Sequence, residues 1–326
     1  MIRSQLARSA VLVLVVVAVG FALAANWDAV AGRLDEVSLP SVLLAIGAVV
    51  AALCCSMQAW RGLLADLGSP LRARHAARVL FVAQLGKYLP GSVWPAVAQI
   101  ELAAGHQVPR DRSAAAGGAL MLLTPLSGAL VASALVPFVS RDAARTYWPA
   151  ALFIPVGAVL LRPAVFAAVV NRVLRVLRRP PLGGTLSARG LVVGVAWLTL
   201  GWLLYGLHVW ALARELGGSA GPTYALSVCA FALAWTVGFL VVVVPAGAGV
   251  RDVSLAVVLA QAFVGTPTGR TASAAGVALL SRLVLTVADI MCASFGAIVG
   301  RRGAAIERGQ RGDPAPDADD DHVVDG

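Results

Sequence analysis

Apolar residues run along this chain in blocks of about twenty, separated by short polar stretches. A block of 18 or so apolar residues is long enough to cross a hydrocarbon core as a helix. Such blocks predict spans at about 10–25, 40–60, 114–138, 190–213, 223–244 and 272–300, with a shorter one at 147–161. Two further apolar regions are interrupted. The first, 79–104, contains Gly86-Lys87-Tyr88-Leu89-Pro90-Gly91-Ser92-Val93-Trp94-Pro95. The second opens with Pro245-Ala246-Gly247-Ala248-Gly249-Val250-Arg251-Asp252 and stays apolar to about 264. Proline and glycine break a helix and free backbone polar groups, which lipid tolerates only inside protein or beside a water-filled cavity. The pattern predicts an all-α fold: a polytopic membrane bundle of about seven spans plus two broken or re-entrant helical regions.

The polar stretches set the orientation. Arg3 and Arg8 precede the first block and Ala-Leu-Ala-Ala ends it, which imitates a cleavable signal peptide. With further spans downstream, an uncleaved first span is the reading adopted. Residues 61–78 read as a basic loop, and 162–189 as a basic segment containing an amphipathic interfacial helix at about 163–178. Residues 1–304 form the expected transmembrane domain, and 305–326 an acidic, disordered tail. If each broken region returns to the side it entered, the proposed inside segments carry 18 of the 26 basic residues and the outside loops five. That bias predicts a multi-pass protein of the cell membrane with both termini in the cytoplasm.

The two halves also rhyme. Span, broken region around Pro90 and span (about 40–140) correspond to span, broken region around Pro245 and span (about 190–300). On the predicted topology the first unit begins outside and the second inside, which is an inverted repeat. Interrupted segments at matching places in two halves point to a transporter's binding site.

Composition narrows the function classes. Apolar residues make up 59% of the chain and charged residues 13%, so its basic pI of about 10.4 points to anionic lipid and not to nucleic acid. Cys54, Cys55, Cys229 and Cys292 lie in apolar runs without ligand spacing to histidine, so no metal site is expected. The Gly-x-Gly in the second break lacks a third glycine and a βαβ setting, and no Walker-type loop is present. No cofactor is expected, and any transport would be passive or gradient-driven.

Candidate chemistry lies in six ionisable residues within the predicted membrane segments: Lys87, Glu101, Arg251, Asp252, Arg282 and Asp289. Each would cost roughly 2.5–3.5 kcal/mol at mid-membrane if unpaired, so they should pair or line an aqueous cavity. Lys87 is the only lysine in the chain, and a compact ammonium is not replaced by a guanidinium. Arg282 and Asp289, seven apart, share one helix face with Thr286 between them. Either they form a structural ion pair to a neighbouring helix or they line a cavity. Arg251 follows a helix break, where freed N–H groups and the helix dipole favour an anion. Lys87, Arg251 and Arg282 are therefore candidates for holding a lipid head group, unless Lys87 and Arg251 simply snorkel to the interface. Glu101, Asp252 and Asp289 are the candidate cavity or ion-pair partners. Gly86, Pro90, Gly91, Pro95, Pro245, Gly247 and Gly249 are the helix-breaking residues. His208, alone inside a predicted span, reads as a packed, hydrogen-bonded residue.

The first break resembles the Gly-Lys-Tyr-(Ile/Leu)-Pro-Gly-x-Val-Trp signature of the flippase-like, lysylphosphatidylglycerol synthase transmembrane-domain family. The second is similar to that family's Pro-Gly-Gly-x-Gly-x-Arg-Glu signature, with Ala246 for a glycine and Asp252 for a glutamate. The resemblance covers about 10–300. It implies a bacterial or archaeal membrane domain with re-entrant helices. In the full-length synthases such a domain is thought to move aminoacylated phospholipid between leaflets, while a soluble domain performs aminoacyl transfer. Here a short acidic tail follows the spans, so the resemblance implies no enzymatic transfer by this chain. Stand-alone members are linked to cell-surface glycosylation and isoprenoid-linked lipids. Two readings follow: a translocase for an anionic lipid, or a non-transporting scaffold for a membrane glycosyltransferase. A membrane-embedded transferase is disfavoured because no nucleophile–base set is apparent.

Overall fold

The computed structural model describes residues 37–88, 94–139, 145, 151–176, 185–217, 223–240 and 249–311. The regular elements among them are helical. In order they are α1 (Leu39–Asp66), α2 (Ala73–Gln84) running into a 3-10 turn (Leu85–Tyr88), α3 (Trp94–Ala104), α4 (Arg110–Val139), α5 (Phe153–Leu160), α6 (Pro163–Val176), α7 (Ala188–Glu215), α8 (Thr223–Leu240), α9 (Val250–Leu259) with a 3-10 turn (Ala260–Ala262), and α10 (Pro267–Arg311). Four helices are long and apolar enough to cross a membrane: α1, α4, α7 and the Pro267–Val299 part of α10. The expected first span, 10–25, lies outside the described residues.

Several expected boundaries move, each for a local reason. The basic loop expected at 61–78 shrinks to the residues between Asp66 and Ala73. Arg61 is only half-buried, so α1 continues past it and buries Leu63 and Leu64. The short span expected at 147–161 contains the eight-residue α5, which bends by 87° into α6. Pro163 explains the bend, because the residue before a proline is pushed out of the helical region. The amphipathic α6 does not offer its whole apolar face to lipid, since Phe166 and Val170 are buried in the core. At the far end α10 runs to Arg311, past the expected domain boundary at 304. The added stretch, 305–311, holds alanine, glutamate, glutamine and two arginines, which are good helix formers, against a single glycine.

Helices α1 and α7 run antiparallel, pinned at both ends. Ser38 and Ser41 at the start of α1 donate their hydroxyls to Glu215 at the end of α7, at 2.9 and 2.5 Å. At the other end Asp66 accepts from the Ser187 backbone N–H at 2.6 Å and from its hydroxyl at 2.8 Å. Ser187 in turn caps α7 by accepting from the Gly190 N–H. Antiparallel first helices are the relation that an inverted repeat requires.

The packing around this pair is reciprocal. Helix α10 packs along α2, the first limb of the first broken hairpin, and α4 packs along α8, the first limb of the second. Where lipid replaces water there is little hydrophobic drive between helices, so close packing and interhelical hydrogen bonds hold them. Trp202 of α7 donates to the Ser127 hydroxyl of α4 at 3.0 Å. Tyr205 of α7 stacks on Phe231 of α8 with centroids 5.0 Å apart.

Candidate functional site

The first broken hairpin closes tightly on itself. Near Gln84 the α-helix tightens into a 3-10 turn that carries Gly86, Lys87 and Tyr88. A Cβ on Gly86 would lie 2.8 Å from the Pro95 nitrogen and 2.9 Å from the Trp94 carbonyl carbon. Both are backbone atoms of the returning limb, so only glycine fits here. Pro95 sits in the first turn of α3, where its missing N–H costs nothing. The second hairpin uses glycine differently. Gly249, the residue before α9, has φ +82° and ψ −57°, a conformation that residues with a side chain rarely adopt. Pro90, Gly91, Pro245 and Gly247 lie outside the described residues.

Both hairpins reach the same face of α10. From the first, the Lys87 ammonium lies 2.6 Å from Asp289 Oδ2, and the Tyr88 hydroxyl donates to the same oxygen at 2.7 Å. The ammonium also stands 5.5 Å from the centre of the Tyr88 ring. Thr286 approaches the Tyr88 hydroxyl at 3.4 Å and donates its own hydroxyl to the Arg282 carbonyl. From the second hairpin, Asp252 Oδ2 accepts from Arg282 Nη1 at 2.7 Å and from the Gly249 N–H at 3.2 Å. Arg251 Nη2 lies 3.6 Å from Asp252 Oδ1, close enough for an ion pair. Arg282 and Asp289 are two turns apart, about 10 Å along the axis at 1.5 Å per residue.

The two ion-pair groups differ in exposure. The Asp289 side chain is 2% exposed, while Lys87 keeps 29%. Asp252 keeps 22%, Arg251 19% and Arg282 38%. A buried carboxylate is tolerated only when paired and hydrogen-bonded, which Lys87 and Tyr88 achieve for Asp289. The second group is an open cluster of two guanidiniums around one carboxylate.

Five of the six charges singled out from the sequence thus meet along α10. The sixth, Glu101, does not. It sits near the end of α3 and makes a two-pronged pair with Arg110, at 3.0 and 2.9 Å. Both side chains are more than half exposed, and the hydrogen bonds from Arg110 hold the Glu101 carboxyl below its ordinary range. His208 is fully buried, with Nε2 2.8 Å from the Ser281 hydroxyl, next to Arg282. Tyr88 was not singled out from the sequence, although it stands inside the first break beside Lys87. Standing between Lys87 and Leu89, it read as one more apolar residue of the run.

Among the described residues no group of three or more His, Cys, Asp or Glu side chains could hold a metal ion. The site's chemistry is that of fixed charge beside interrupted helices. Over residues 8–291 the sequence matches the family model described as the lysylphosphatidylglycerol synthase TM region. The chain belongs to that family. Its two signatures carry the site: Lys87 and Tyr88 come from the first, Gly249, Arg251 and Asp252 from the second. The family's membrane character agrees with the four apolar helices. A search of curated proteins finds no match.

Proposed function

We propose that this membrane protein binds the anionic head group of a phospholipid or isoprenoid-linked lipid and carries it between leaflets. One observation carries the reading: the partly exposed cluster of Arg251, Arg282 and Asp252, with Lys87 paired to Asp289 two turns along α10, between two interrupted hairpins. Lys87, Arg251 and Arg282 supply positive charge, and two carboxylates neutralise only part of it. Such a cluster, beside interrupted helices, suits a phosphate. The protein would sit in the cell membrane with both termini in the cytoplasm, and transport would be passive or gradient-driven. Reconstituted vesicles with labelled anionic phospholipid test this. Lys87→Ala and Arg251→Ala should each slow translocation, and the reading is lost if both match the unsubstituted protein.

A second reading draws on a different observation: each of the six charges has a partner. Charges that all have protein partners suit a scaffold that holds a membrane glycosyltransferase and its lipid-linked substrate without transporting anything. Co-purification of a glycosyltransferase, with no translocation in vesicles, would favour that role.

A further inference from the structure

Asp252 occupies the position that an incoming anion would need. Its carboxylate takes the Arg282 guanidinium at 2.7 Å and the Gly249 N–H at 3.2 Å, and stands 3.6 Å from Arg251. Two guanidiniums and a backbone N–H are also the donors that suit a lipid phosphate. The carboxylate is tethered at the third position of α9, and it bridges that helix to α10. Asp289 is in a different situation. It is almost fully buried and gripped by Lys87 and Tyr88, so it is fixed in place. Asp252, Arg251 and Arg282 all retain exposed surface, so their pairing is the exchangeable one.

We infer that Asp252 is a built-in competitor for the head-group phosphate. The inference rests on the head-group reading above. A phosphate that takes Arg282 Nη1 displaces the carboxylate from that donor. Once displaced, Asp252 no longer bridges α9 to α10, and the second hairpin loses its charged tie to α10 while its packing contacts remain. The first hairpin, held by Lys87 and Asp289, stays in place. Binding and release of the second hairpin are then one event, and an empty site stays latched.

The inference predicts a gain where loss would be the ordinary expectation. Asp252→Asn keeps the shape and an oxygen for the Gly249 N–H but removes the competing charge. The full chain, purified in neutral detergent, would be titrated with phosphatidylglycerol or phosphatidylcholine of matched chain length, and bound lipid counted by native mass spectrometry. Asp252→Asn should bind phosphatidylglycerol about three- to fivefold more tightly than the unsubstituted protein, the size of one released partly exposed ion pair. Phosphatidylcholine binding should not change. Hydrogen exchange on the unsubstituted protein gives a second readout that needs no variant. Phosphatidylglycerol should speed exchange at 249–259 and leave 85–88 and 94–104 unchanged, and phosphatidylcholine should do neither.

The competitor role is overturned if the unsubstituted protein prefers phosphatidylglycerol but Asp252→Asn binds it equally or more weakly. It is also overturned if phosphatidylglycerol binds and exchange at 249–259 stays level or slows. If the unsubstituted protein shows no preference between the two lipids, the head-group reading itself fails, and the competitor role with it.

Discussion

Helices α4 and α10 hold matching places in the two halves, each packed on the opening limb of the other half's hairpin. Only one of them carries charge beyond its first turn and within its apolar length. After Arg112, α4 has no ionisable residue, and it carries Pro125 and Pro137 instead. Helix α10 presents Arg282 and Asp289, and both hairpins fasten there. Similar architecture with unequal chemistry means that the reciprocal packing builds the frame, while the site belongs to one helix. The hairpins differ as well. The first is closed by backbone contact at Gly86 and tied to α10 by an ion pair whose carboxylate is buried. The second is opened by the Gly249 turn and held by a pair that solvent can reach.

That contrast predicts an order of effects. The largest should follow Lys87→Met, which strands the buried Asp289 carboxylate with Tyr88 as its hydrogen-bond donor. Removing one partner of a buried pair costs about 3–5 kcal/mol, read as a large drop in thermal midpoint in detergent. The reverse change, Asp289→Asn, leaves a lysine that can reach water and should cost less. Equal losses would break this asymmetry between the buried carboxylate and the water-reachable lysine. Next comes Gly86→Ala, which forces the two limbs apart at a backbone contact and should cost about 1–3 kcal/mol, as overpacking does. Gly249→Ala meets open space and suffers only from its backbone angle, at about 1–3 kcal/mol. The two separate in where exchange rises: across both limbs of the first hairpin for Gly86→Ala, and only at the start of α9 for Gly249→Ala. The smallest effect belongs to the exposed Glu101–Arg110 pair. Because the folded Glu101 pKa is lowered, its contribution is present above the ordinary carboxylate range and fades as pH falls through the lowered value. Glu101→Gln should leave the thermal midpoint at neutral pH within experimental scatter.

Much of this frame is written in local pattern. The long apolar blocks marked α1, α4, α7 and α10, and the Pro/Gly clusters marked where the hairpins break. Seven-residue spacing correctly put Arg282 and Asp289 on one face. Partner choice was not legible. Lys87 and Asp289 are separated by some two hundred positions, and nothing in either neighbourhood encodes the other. Asp252 belongs to the same class: its place after the break suggested a cavity or ion-pair partner, but not that the partner would be Arg282. Glu101 was misplaced for a simpler reason. An apolar window averages over a helix end, and so missed that this residue stands beside the turn into α4, within reach of Arg110. The extension of α1 past Arg61 was hidden likewise, because a charge inside an apolar run looks like an edge.

The length of α10 has a mechanical consequence. Forty-five residues of unbroken helix make a rod of about 67 Å, roughly twice the depth of a hydrocarbon core. Its membrane-crossing part ends at Val299, so the last turns project as a handle. Both fastenings sit on one side of the shaft. A twist applied to the handle would therefore swing the two hairpins in the same rotational sense, like two bolts thrown by one key.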